Sequence, residues 1–144
     1  MFNYKTIKKI NFSDKQIFDL IIDIEKYPEF LPWCKSTNIY DKNSNTFYSD
    51  MEVGFNLIKA KFTSKVTVLE SKNIHSEAIN GPFHKMNNLW EIEKLSKNKC
   101  LITLNVEFDF KSFLLKNLMG QLFEVASIKM IDAFENRAEY LYNN

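Results

Sequence analysis

The residues best able to do chemistry are few and loosely spaced. Glu91 and Glu93, and Glu107 and Asp109, each stand two apart in segments that alternate apolar and polar residues. Two carboxylates on one strand face could divide acid and base roles in proton transfer. That face lies opposite Trp90, Ile92, Val106 and Phe108, so both pairs are expected in water. Asp23 and Glu25 end a helical stretch and are expected to fix the turn after it. His75 and His84 are nine apart with no Cys or His at ligand spacing, and no metal site is expected. Cys34 and Cys100 make no disulfide framework. Cys34, beside Trp33, is expected as a small buried hydrophobe with only Lys35 adjacent to activate it. No glycine-rich phosphate loop and no G-x-S-x-G pattern occurs. Catalysis is therefore not expected. Arg137, the only arginine, falls within an apolar helical stripe. A guanidinium there must pair or reach water; a structural ion pair is expected, contact with a ligand's polar head being the alternative.

The elements that would position these groups are legible. Tyr4 to Phe12 alternates and predicts a strand. Ser13 with Gln16 three residues on predicts a capping box, followed by Ile17, Leu20, Ile21 and Ile24 at helical spacing. That helix is expected to end before Pro28. Residues 26–34, KYPEFLPWC, bracket Phe30 and Leu31 with prolines and predict a stiff apolar loop or one helical turn. Strands are predicted at 36–41, 46–55, 60–70, 73–80, 87–95 and 99–110, with short polar breaks that argue an antiparallel meander. Gly54 inside a strand suggests a bulge or bend. Ser112 is predicted to cap one long helix over 113–142, about 45 Å in length. Its stripe is Leu115, Met119, Leu122, Ala126, Met130 and Ala133, flanked by Leu118, Phe123 and Phe134. Gly120 costs that helix about 1 kcal/mol, so close packing or a kink is expected there. The expectation is an α+β fold: one curved antiparallel sheet wrapped around a long C-terminal helix, as a single domain over 1–144.

Composition sets the outer limits. The chain has 144 residues, 45% of them hydrophobic and 26% charged, which suits an ordinary globular protein and excludes intrinsic disorder. Net charge is +1, no footprint for DNA. No signal peptide and no bilayer-spanning apolar run is read, which suggests a cytoplasmic location, with the inner face of a membrane as the alternative. The surplus lies in thirteen Phe, six Tyr and two Trp. Those rings either fill a core or line a cavity.

Three stretches together resemble one family. DIEKYPEFLPWCKS (Asp23 to Ser36), GPF (Gly81 to Phe83) with Trp90 seven residues later, and AFENRAEYLY (Ala133 to Tyr142) occur in the order found in the RatA and coenzyme Q-binding START family. The order of elements resembles the helix-grip fold of the START-like, polyketide cyclase superfamily.

The resemblance implies a lipid-binding role without catalysis: a pocket between sheet and helix that holds ubiquinone or a similar prenyl lipid in support of respiration. The branch named for a toxin implies a different role, binding the large ribosomal subunit and blocking subunit association. Lys5, Lys8, Lys9 and Lys15 form a local basic patch for it. A polyketide-type cyclase is the weaker alternative and needs a titratable group inside the pocket. Expected lining residues are Trp90, Leu104, Val106 and Phe108 from the sheet, and Leu115, Met119, Leu122, Phe123, Ala126 and Met130 from the helix. Phe30, Leu31 and Trp33 are expected to form a lid over the pocket or to enter a membrane surface; the alternative is a loop folded inward onto the core.

Overall fold

Alternation decides the sheet. The computed structural model of the chain describes residues 1–55 and 57–143. Its strands are β1 (Phe2–Ile10), β2 (Cys34–Tyr40), β3 (Thr46–Phe55), β4 (Ile58–Leu69), β5 (Asn73–Ala78), β6 (Phe83–Ser96) and β7 (Lys99–Phe110). They form one seven-stranded antiparallel sheet in the order β1-β7-β6-β5-β4-β3-β2. In β7, Cys100, Ile102, Leu104, Val106, Phe108 and Phe110 are all buried, while the residues between them are half-buried. β6 pairs with it so that Trp90 faces Leu104 and Ile92 faces Ile102. β1 closes the other side of β7, with Tyr4 opposite Val106.

The first helix, α1 (Asp14–Ile22), starts as its cap dictates: Gln16 donates its backbone N–H to Ser13 Oγ, and Ser13 N–H is answered by Gln16 Oε1. It ends earlier than Pro28 alone requires. A 3₁₀ turn over Ile24–Glu29 follows, with Pro28 inside it. Tyr27 is buried there and donates its hydroxyl to the Ile21 carbonyl at 2.5 Å.

The long C-terminal helix is two helices, α2 (Phe113–Ile128) and α3 (Met130–Tyr142). Ser112 caps α2 by accepting from Leu115 N–H. The break falls at Lys129, not at Gly120. Just before it, the Ser127 hydroxyl donates to the Phe123 carbonyl at 2.7 Å, the local side-chain competition that bends helices. Gly120 lies in regular helix, and a Cβ there would meet only Lys116 Cγ at 3.7 Å. Broken at Lys129, the segment follows the curved sheet: α2 packs on β7 and β1, and α3 packs on α1.

The bulge expected at Gly54 lies across the ladder, at Lys35, where the β2–β3 register shifts between Cys34 and Ser36. Gly54 keeps its pairing with Lys59; it is glycine because a Cβ would approach the Ile58 carbonyl oxygen to 2.8 Å. Gly81, at φ +105°, leads into β6, which begins at Phe83 with a second register shift before Lys85.

Nine of the aromatic residues form two clusters under the sheet. Phe62, Phe83, Phe108, Phe110 and Phe123 make one, with Phe83 and Phe123 centroids 4.9 Å apart. Phe134 centres the other, edge-on to Tyr27 (5.2 Å), Phe30 (5.1 Å) and Trp90 (5.2 Å). Such pairs add about 0.5–1.5 kcal/mol each beyond area burial. Phe113 joins neither cluster and is exposed.

Candidate functional site

Between the two ring clusters the core is hollow. The cavity has a volume of about 80 Å³. Its sheet wall comes from β3 to β7, its helix wall from α2 and α3, and one end is closed by Ile24, Tyr27 and Trp33. Seven of the expected residues line it: Trp33, Trp90, Val106, Phe108, Phe123, Ala126 and Met130.

The other expected residues sit elsewhere, for packing reasons. Leu104 is on the right face of β7 but is 1% exposed and packed in solid core. Leu115, Met119 and Leu122 belong to the part of α2 that lies on β7 and β1; Met119 is buried there and the other two are half-buried. Leu31 is 1% exposed and packed in the core, its N–H donating to the Tyr27 carbonyl. Phe30 packs on Phe134 and lies under the Arg137 guanidinium, 5.2 Å from ring centroid to Cζ. The Pro-bracketed loop is thus folded inward onto the core, and of Phe30, Leu31 and Trp33 only Trp33 reaches the cavity, where it helps to close one end.

Arg137 donates to Glu29 Oε1, which confirms a structural ion pair and leaves the guanidinium outside the cavity wall. The acid pairs lie away from the cavity, as their strand face required. Glu91 and Glu93 are exposed, and Glu107 is held by Lys85 Nζ at 3.1 Å and Asn87 Nδ2. Burial pushes both cysteine thiols up to about 11, so neither is a ready nucleophile.

Several lining residues escaped sequence reasoning. Phe62, Met86 and Phe134 were readable as inward-facing. Ser49, Ser64, Ser76 and Asn88 were not, since a polar residue in a strand reads as outward. Their signal is positional. In four consecutive strands one polar residue sits between two inward apolar ones: Phe47–Ser49–Met51, Phe62–Ser64–Val66, Ile74–Ser76–Ala78 and Met86–Asn88–Trp90. No Asp, Glu, Lys, Arg or His lines the cavity among the described residues. Tyr27, the one phenol there, is held protonated, because burial raises its pKa far above the ordinary value.

A curved antiparallel sheet gripping C-terminal helices around an apolar hollow defines the helix-grip, START-like fold. The model of the family described as polyketide cyclase / dehydrase and lipid transport matches residues 10–135, and the chain belongs to that family. It is 33% identical over 128 residues to the protein named ribosome association toxin RatA of Pseudomonas aeruginosa, covering 89% of each chain. It is also 33% identical over 141 residues to the protein named coenzyme Q-binding protein COQ10, mitochondrial, of Dictyostelium discoideum, covering 95% of this chain and 69% of that one. Among solved structures, the 18 kDa protein CC1736 of Caulobacter crescentus superposes over 100% of both chains with TM-score 0.77 and 27% identity. The ZhuI aromatase/cyclase of a Streptomyces species superposes with TM-score 0.84 over 96% of this chain and 93% of that one, at 12% identity. That last likeness speaks to the fold alone.

Proposed function

We propose that the chain binds a hydrophobic small molecule without transforming it, a prenylated quinone such as ubiquinone being the ligand. The observation that carries this is the cavity wall: mostly rings, methionines and aliphatic side chains, with a few neutral serine and asparagine groups and, among the described residues, no ionisable group that could exchange a proton at neutral pH. Such walls suit an isoprenoid tail, each buried methylene contributing about 0.8 kcal/mol. A protein of coenzyme Q-binding name among the relatives supports the same reading. The hollow holds about 80 Å³. Drug-sized ligands need roughly 300–1,000 Å³, so α2, α3 or the Ile24–Trp33 segment must move outward on loading.

The experiment is extraction of the purified protein with organic solvent and mass spectrometry of the extract. A prenylquinone in near-stoichiometric amount supports the proposal. Its absence, together with no quenching of Trp33 and Trp90 fluorescence by added quinone, would sink it. Trp33→Ala should weaken quinone binding while the protein stays folded.

Loading from a bilayer fits α2 rather than the Pro-bracketed loop. Phe113, Leu114, Leu118, Val125 and Ile128 are its exposed apolar residues, with Lys111, Lys116 and Lys129 beside them. An apolar face with lysines alongside suits an anionic lipid surface. No described helix is long and apolar enough to cross a membrane. Flotation with anionic but not neutral vesicles tests this contact, and Leu118→Asp should abolish it.

A second reading follows from relatives named ribosome association toxins. The basic patch it would use is partly neutralised here. Lys8 is held by Asp132 at 2.8 Å and Glu135 at 2.7 Å, and Lys15 by Asp19 at 2.9 Å. Salt-sensitive co-sedimentation with large ribosomal subunits would favour this reading over the first. A cyclase role ranks third, since no carboxylate or imidazole among the described residues lines the cavity to serve as acid or base.

A further inference from the structure

The polar residues of the concave sheet face lie at one level and join into a strip. Ser49 pairs directly opposite Ser64, and Ser76 directly opposite Asn88. Ser64 and Ser76 are diagonal neighbours, because Val66 is the residue opposite Ser76. Opposed Cβ atoms stand about 5 Å apart and diagonal ones about 7–8 Å. The strip therefore crosses three strand spacings, about 14 Å, along the cavity wall. Ser49 is 2% exposed, and its hydroxyl has no hydrogen-bond partner among the described residues. A buried hydroxyl left unmatched costs free energy, and close-packed interiors seldom retain one without a use. Ser64 is buried as well, Ser76 and Asn88 are half-buried, and all four line the cavity; four polar residues side by side on the concave face of four successive strands are the arrangement of a site rather than of a core.

We propose that this strip is the head-group site of the cavity, binding a neutral head that carries hydrogen-bond acceptors. Carbonyl or ether oxygens on a ring would accept from the hydroxyls of Ser49, Ser64 and Ser76 and from the amide of Asn88, while the apolar tail lies among the rings. An anionic head is disfavoured, because a carboxylate or phosphate would be buried with no cation among the described residues of the wall to meet it. The assignment rests on the ligand-binding reading above and narrows it: the ligand is selected by its head and seated with the head against the sheet.

The test uses three probes on the full chain, each measured by displacement of the neutral dye Nile red. They are a ubiquinone with two isoprene units, the isoprenoid hydrocarbon myrcene, and decanoate. Ser49→Ala and Ser64→Ala are compared with the wild type. Ser49→Ala removes an unpartnered hydroxyl, so it should leave the melting temperature unchanged or raised, and a binding loss is then not unfolding. The wild type should bind the quinone at least about tenfold more tightly than either other probe, and each variant should weaken the quinone about fivefold while leaving myrcene unchanged. Equal binding of quinone and myrcene, or variants that weaken both alike or neither, would overturn the head-group assignment and leave the ligand-binding reading standing. Failure of all three probes to displace the dye would overturn both.

Discussion

Arg137 on α3 donates from Nη2 to Glu29 Oε1 at 2.6 Å, across 108 positions of sequence. The pair ties the second half of the C-terminal helix to the 3₁₀ turn that closes one end of the cavity. The guanidinium also stacks over Phe30 and Tyr140, at 5.2 and 5.3 Å.

This tie predicts a pH dependence. The Arg137 hydrogen bond is the main cause holding the Glu29 carboxyl below its ordinary value of 4.5, with Lys26 adding to it and burial opposing. A carboxylate whose folded pKa lies below its unfolded one contributes stability above the unfolded value and loses it as pH falls through the folded value. The stability gap between wild type and Arg137→Met should therefore be constant from neutral pH to about 5 and shrink below 4.5. Urea titrations across that range check it. Arg137→Lys should not restore the wild-type value, because a point ammonium cannot both stack on Phe30 and fork toward Glu29.

Phe134 is 1% exposed and carries edge-on contacts to Tyr27, Phe30 and Trp90. Phe134→Ala should cost about 3–5 kcal/mol in urea denaturation. The vacated space adjoins the existing hollow. The variant should therefore take up bulkier apolar probes than the wild type, measured by dye fluorescence at temperatures where both are folded.

Two glycines predict opposite effects. Gly120→Ala should raise stability by about 0.5–1 kcal/mol, since the helix accepts a methyl that meets only Lys116 Cγ. Gly81→Ala should lower it by about 3 kcal/mol: the residue sits at φ +105°, and its Cβ would stand 2.5 Å from Phe62 Cβ. Thermal melts of the two variants decide both. Because Phe62 lines the cavity, Gly81→Ala should also weaken ligand binding.

Cys34 and Cys100 should be silent in the native protein. Burial raises both thiols to about 11, with the Asp14 charge adding to the rise at Cys100. At pH 8 the thiolate is on the order of one part in a thousand. Ellman's reagent should therefore label neither thiol quickly at pH 8 and both in guanidinium. Fast native labelling of Cys34 would show that the Ile24–Trp33 segment opens without ligand.

Period and punctuation settled much of this protein in advance. The two-residue alternation of 99–110, the Ser13 and Ser112 caps and the YPEFLPWC stretch were enough for the sheet, the helix starts and the family. Alternation reports which way a side chain points, but not what packs over it. Leu104 and Val106 share a face, yet one is in solid core and the other borders a hollow, and only the path of the helices separates them. That path depends on the break at Lys129, which left no proline or glycine in the sequence. The inward turn of Phe30 likewise needed Phe134 and Arg137, more than 100 positions away, to cover it. The polar strip is the clearest case. Ser49, Ser64, Ser76 and Asn88 are unremarked in four separate strands; register alone sets them side by side on one wall, because pairing distances are fixed by backbone hydrogen bonds and not by sequence proximity.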